Sequence, residues 1–426
     1  MRFQLLRRLV LAGAAALLAA IGCSGPQSVS GELVIGAIYP LSGPQATGGQ
    51  EELAGVQTAL ETAQRRGVAG ARRVRLQVIS ATTPDAARRA VDRLIDQYRV
   101  PAIVGTYGST LAEAAAARAD QRHVVYWETG AVADSVTVGR SYVLQMVATG
   151  STLGRAAADF TSGVLLPASR VLPSESRVVI VAVDDVYGRA VADGEATRAA
   201  ERGIKVVDRI DYDPRRLDAD ALTRRLAGDR PDYLWDVSYI DDGIAIWKAV
   251  LSHGVPLRAA VGTSSAFCMP EFGGRLGTQA LGVYAADKPD EPGVRAEILL
   301  PAARELQSAA SSAYAHRSGG RKMSIPAMAG FVGGWALFHG VLPAAGDRMT
   351  PDTLRDRAFD LDEPMYSSIN GGGVRFGRPG TPNAGQNLLA PAVVGQWQAI
   401  NVMRVVYPAP FAEAQPILST NPLLRN

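Results

Sequence analysis

At 426 residues, 47% of them hydrophobic, the chain is long enough to bury the cores of two compact domains. A formal net charge of +3 is small for this length, and basic residues are scattered among acidic ones, which argues against a nucleic-acid partner. Only two cysteines occur, Cys23 and Cys268.

The chain opens with Arg2, Arg7 and Arg8, an apolar run from Leu9 to Ile21, and small residues before Cys23. The apolar run is too short to span a bilayer comfortably, so residues 1–23 read as an export signal. They resemble a bacterial lipoprotein signal, which implies lipidation of Cys23 and anchoring at the cell membrane outside the cytoplasm. An ordinary secretory signal with an incidental cysteine is the alternative. Residues 24–31 form a polar Gly/Ser/Pro tether. With Cys23 acylated no intramolecular disulfide can form, and stability must come from packing.

From Glu32 the pattern is strand, turn, helix. Glu32 to Tyr39 reads as a buried strand, Gly48 to Arg66 as a helix, Val74 to Ser80 as a strand and Pro84 to Tyr98 as a helix. Ala102-Ile103-Val104 is an unbroken apolar run suited to a strand buried on both faces. Gly105 and Gly108 turn it sharply, Ser109 and Thr110 stand at a helix start, and His123 to Trp127 returns as a strand ending at Glu128-Thr129-Gly130. Two neighbouring strand ends beside a helix N-terminus make a place for a carboxylate or phosphate.

The alternation resumes after Ser151. Strands are expected at Arg177 to Val183, Lys205 to Tyr212, Tyr233 to Val237, Arg258 to Gly262 and Gly282 to Asp287, with helices between them. Long helices follow at Glu297 to His316 and Ala327 to Ala345, then short antiparallel strands to the C-terminus. The fold class is α/β, one large parallel unit used twice.

Several segments together carry a resemblance: Ile35-Gly36 through Pro40-Leu41-Ser42-Gly43-Pro44 with Gly48 and Gly55; Val104-Gly105 with Ser109; Asp184 with Tyr187-Gly188; and Val405-Val406-Tyr407-Pro408. Over residues 32 to 410 the chain resembles the type I periplasmic binding proteins, in particular the branched-chain amino-acid-binding group that serves ABC importers. The resemblance implies two Rossmann-like lobes joined by three crossovers near residues 148, 286 and 362. The first lobe would take 32–148 plus 286–362, the second 149–285 plus 363–410, leaving 411–426 as a tail. It also implies a monomer that encloses a small ligand by hinge closure and hands it to permease subunits. A ligand-sensing lipoprotein partnering a receptor or sensor kinase is the alternative.

By the same resemblance Ser109, with Thr110, holds the ligand's carboxylate. Gly130 and Val132 contribute from the next strand end, and Tyr187 and Tyr239 close over the ligand from the second lobe. Ser264 departs from the family pattern, where a glutamate pairs with the ligand's ammonium. Either Glu128 or Asp236 substitutes, or the ligand is an amide, urea or short carboxylate with no α-amino group. An enzyme is disfavoured: His123, His253, His316 and His339 stand far apart, no HExxH or GxSxG occurs, and neither metal nor cofactor is expected.

Overall fold

The computed structural model describes residues 32–68 and 74–418. The expected signal, Cys23 and the tether, like residues 419–426 of the tail, lie outside the described residues.

The apolar runs form two sheets. The first holds β1 (Leu33–Tyr39), β2 (Val74–Ser80), β3 (Ala102–Gly105), β4 (Val125–Glu128) and β5 (Val143–Gln145), all parallel, in the order β2-β1-β3-β4-β5. Every residue of β3 and β4 is buried, as strands covered on both faces must be. Helices α1 (Ala46–Arg65), α2 (Pro84–Tyr98) and α3 (Ser109–Gln121) connect them. The Thr83 hydroxyl caps α2 by accepting the Ala86 amide at 3.2 Å, with proline in the first turn.

After α4 (Gly150–Phe160) the second sheet contains β6 (Val178–Val183), β7 (Val206–Tyr212), β8 (Tyr233–Val237), β9 (Ala259–Thr263) and β10 (Tyr284–Asp287). Their order, β7-β6-β8-β9-β10, repeats that of the first sheet strand for strand. In both sheets the order reverses at the first strand, so the carboxyl ends there border a crevice. A short hairpin pairs β11 (Asp362–Glu363) with β12 (Val374–Arg375). Of the last two strands, β13 (Val393–Ala399) adds antiparallel to β10 and β14 (Val402–Tyr407) adds antiparallel to β13. Phe411 packs on Val393 and Val405, and the Ile417 carbonyl accepts from Gln396 and Tyr284, so the tail as far as 418 lies on the second sheet.

The apolar helix run Ile325–Ala345 is long enough to cross a membrane, yet 83% of its most apolar window is buried inside the fold. It is a core helix of the first lobe. It meets α1 through glycine: a Cβ at Gly55 would collide with the Ala327 carbonyl, and one at Gly330 with the Glu52 carbonyl.

Leu144 and Met146 pack in the first core and Val147 and Ala148 in the second, which marks one passage between lobes. A second follows β10. The third departs from expectation. Ile369, Val374 and Phe376 pack in the first core and Val394 in the second, so the chain crosses after Phe376 rather than at 362. These three apolar side chains, one of them on β12, hold the segment to the first lobe. All three passages converge on one gap of about 10 Å³, bordered by Met146, Ala148, Lys288, Pro289, Ala390 and Pro391.

Candidate functional site

The carboxyl ends of the two sheets face each other across a cleft. On the first lobe, Gly105 (φ +134°) and Gly108 (φ +93°) make the turn from β3 into α3, a conformation that side chains disfavour. Ser109 and Thr110 then supply the first amides of α3, which have no carbonyl one turn earlier in the helix to bond. The Ser109 hydroxyl accepts the Ala133 amide at 3.1 Å, which ties the helix start to the segment after β4.

Glu128 organises that segment. Its Oε2 accepts the Thr106 amide at 2.8 Å, and its Oε1 accepts the amides of Gly130 and Ala131, both at 2.7 Å. Burial, and then the nearby Glu52 carboxylate, push the Glu128 carboxyl upward against the pull of these three donors. The carboxylate is therefore committed to the backbone. Gly130 brings its bare Cα against the Glu52 carboxylate, where any Cβ would collide. Val132 packs in the second lobe's core, and its carbonyl accepts the Gly150 amide at the first passage.

Glu52, on α1, is fully buried. Its Oε1 accepts from the Thr129 hydroxyl at 2.6 Å, and Tyr39 lies 2.7 Å from the same hydroxyl; Oε2 has no hydrogen-bond partner among the described residues. Burial raises Glu52 to about 7, although the Thr129 hydrogen bond and the Lys288 charge oppose this. Lys288, also buried, pairs with Asp287 at 3.3 Å and reaches the Gly130 carbonyl at 3.5 Å. The Cys268 thiol donates to the second Asp287 oxygen.

On the second lobe, Asp185 caps the helix Val186–Arg202 by accepting the Gly188 amide at 2.9 Å, and its Oδ2 accepts the Tyr239 hydroxyl at 2.8 Å. The Tyr187 and Tyr239 rings lie 5.3 Å apart, and the Tyr187 hydroxyl donates to the Thr263 carbonyl at 3.3 Å. Ser264 and Ser265 turn the chain after β9 at φ +21° and +30°. Contacts cross between the lobes here, among them the Thr110 hydroxyl 3.5 Å from Asp185 Oδ2 and the Tyr107 hydroxyl, which donates to Ser265 Oγ at 3.4 Å. An open cavity of about 540 Å³ flanks the cleft, lined by Glu113 and Asp134 from one side and Ser151, Arg155 and Arg189 from the other.

The structure thus brings Ser109, Thr110, Tyr187 and Tyr239 to one cleft. Asp236 is placed otherwise: it accepts the Ser238 hydroxyl, and the charged or polar groups that face it, Glu195, Asp242 and Tyr212, all belong to the second lobe. Sequence reasoning missed Glu52, Tyr107, Asp287 and Lys288. Of these, only Tyr107, between two turn glycines beside Ser109, carried a readable signal.

Two repeated sheets whose strand ends meet across a crevice define a two-lobed binding protein. A family model for periplasmic binding proteins matches residues 32–397, and the chain belongs to that family. It is 27% identical over 379 residues to Leu/Ile/Val-binding protein homolog 8 of Brucella abortus, covering 88% of this chain and 91% of that one. Among solved structures it resembles the leucine binding protein LivK of Thermotoga maritima, with a TM-score of 0.74 and 18% identity over 88% of this chain and 97% of that one. It also resembles an ABC-transporter solute binding protein from R. palustris in complex with benzoate, with a TM-score of 0.72 and 17% identity over 92% and 100% of the two chains. The type I resemblance read from the sequence holds, and the chain is an extracytoplasmic solute-binding protein of the ABC-transporter type.

Proposed function

We propose that the protein captures one small carboxylate-bearing solute between its lobes and, by hinge closure, presents it to the permease of an ABC importer. The observation that supports this reading is the meeting of strand-end loops from both sheets, Thr110 with Asp185 and Tyr107 with Ser265. The helix start at Ser109 and Thr110, beside the strand end at Gly130 and Val132, is the anion seat. Tyr187 and Tyr239 are its cover. A lipid on Cys23 would hold this monomer at the membrane.

The ligand class follows from where the carboxylates go. An ammonium enclosed without an anionic partner is costly. Ser264 offers no charge, Glu128 holds three amides, and Asp236 is buried inside the second lobe. Asp185 and Asp287 already accept from Tyr239 and Gly188, and from Lys288 and Cys268. The reading therefore favours a carboxylate without an α-amino group, such as benzoate, over an amino acid such as leucine.

Native mass spectrometry of the gently purified protein, followed by calorimetry with benzoate and with L-leucine, tests this. Tighter binding of benzoate is expected. Tighter binding of L-leucine would return an ammonium partner to the cleft, with the unpartnered oxygen of Glu52 the first place to look.

A further inference from the structure

The tail beyond β14 is fastened to the second sheet at its far end. Gln396 donates to the Ile417 carbonyl at 2.6 Å and accepts the Ile417 amide at 2.8 Å, and Gln398 donates to the Gln415 carbonyl at 2.8 Å. Glu413 accepts the Val405 amide at 3.0 Å and pairs with Arg404 at 3.1 Å. Nearer β14 the tail reaches further. The Phe411 ring packs on Val393 and Val405 of the second sheet and also on Ile298, Met365 and Tyr366, with the Tyr366 ring 6.2 Å away. It fills the space over Gly371 (φ +80°), where a Cβ would collide with it. The Arg295 guanidinium donates to the Pro410 carbonyl at 3.1 Å.

These last partners stand on the first lobe. The Tyr366 carbonyl accepts the Leu300 amide at 2.9 Å, just ahead of the helix Pro301–Ser318, whose Leu306 and Ala310 lie in the first core. Ile369, two residues before Gly371, lies in the same core. One short segment therefore grips both lobes, and it does so while Thr110 meets Asp185 and Tyr107 meets Ser265 across the cleft. The tail travels with the second sheet, so swinging the lobes apart pulls Phe411 off Tyr366 and Gly371 and returns apolar surface to water. We infer that residues 408–418 are a strap that biases the two lobes toward the closed arrangement. The inference rests on the proposed hinge closure and is independent of the ligand's identity.

The experiment measures the width of the cleft in the full-length, ligand-free protein by electron–electron double resonance. Spin labels go on Ser42→Cys and Arg215→Cys, exposed positions just past β1 and β7 on the facing ends of the two sheets, in a Cys23→Ala background; Cys268 is buried. In Phe411→Ala the ratio of the longer to the shorter distance should rise at least about fivefold, the low end of the usual coupling between two states. Arg295→Ala, at an exposed position, should shift the ratio in the same direction and carries the test if Phe411→Ala does not fold. Two distances in the parent whose ratio stays the same or falls in the variants overturn the strap while leaving hinge closure in place. A single narrow distance that no variant moves overturns hinge closure itself, and the strap with it.

Discussion

Glu128 at the end of β4 accepts the backbone amide of Thr106, just past the end of β3, at 2.8 Å. With the amides of Gly130 and Ala131 on its other oxygen, one buried carboxylate fixes two adjacent strand-end loops. Glu128→Gln would turn an NH₂ group against at least one of these donors. Chemical denaturation should show a loss of about 3 kcal/mol, the scale for a charge-assisted hydrogen bond replaced by a clash of donors. A loss within experimental error would mean that the three amides find other acceptors.

The Ser109 hydroxyl accepts from Ala133 and retains its own proton to give. Ser109→Ala should weaken benzoate binding by roughly 1.5 to 3 kcal/mol in calorimetry, about ten- to a hundredfold. Undiminished affinity would place the carboxylate elsewhere in the cleft.

Burial pushes Asp236 up to about 7, against the Ser238 hydrogen bond, and the Asp242 charge adds to the rise. An unfolded aspartate titrates near roughly 4. Between these values the folded chain binds more protons than the unfolded one, so stability falls as pH rises through that window and the loss is complete above it. Asp236→Asn keeps an acceptor for Ser238 and removes the ionisation. Urea midpoints from pH 4 to 8 should therefore decline less in the variant, which should be the more stable protein at pH 8 by a few kcal/mol. Glu52, raised to about 7 as well, leaves part of the slope in place. Parallel curves for the two proteins would show that Asp236 does not titrate in this range.

If Cys23 carries a lipid, Cys23→Ala should move the protein from the membrane fraction to the soluble one. Immunoblots of fractionated cells read this directly. Unchanged membrane association would remove the anchor from the account.

The two sheets were legible because a parallel strand covered on both faces must be apolar throughout, and β3, β4, β6 and β8 are buried from end to end. The third passage was not, because the residues that settle it, Ile369, Val374 and Phe376, sit in and around a two-residue strand after a Gly-rich turn, too short for a period to read. Glu128 stood out as a cleft carboxylate, yet its partners are main-chain amides, which leave no trace in side-chain pattern. Glu52 left no signal, because one acidic residue in an amphipathic helix does not reveal that it is buried. Only the glycine-mediated contact of α1 with the core helix turns it inward.

The three passages between lobes meet at a gap scarcely large enough for one water molecule. Any rotation of one lobe on the other pivots there, while Tyr239 and Asp185 stand out on the far arm of the lever. Added bulk at Ala148 or Ala390 would therefore act as a wedge at the fulcrum, altering how far the jaws travel without touching whatever they hold.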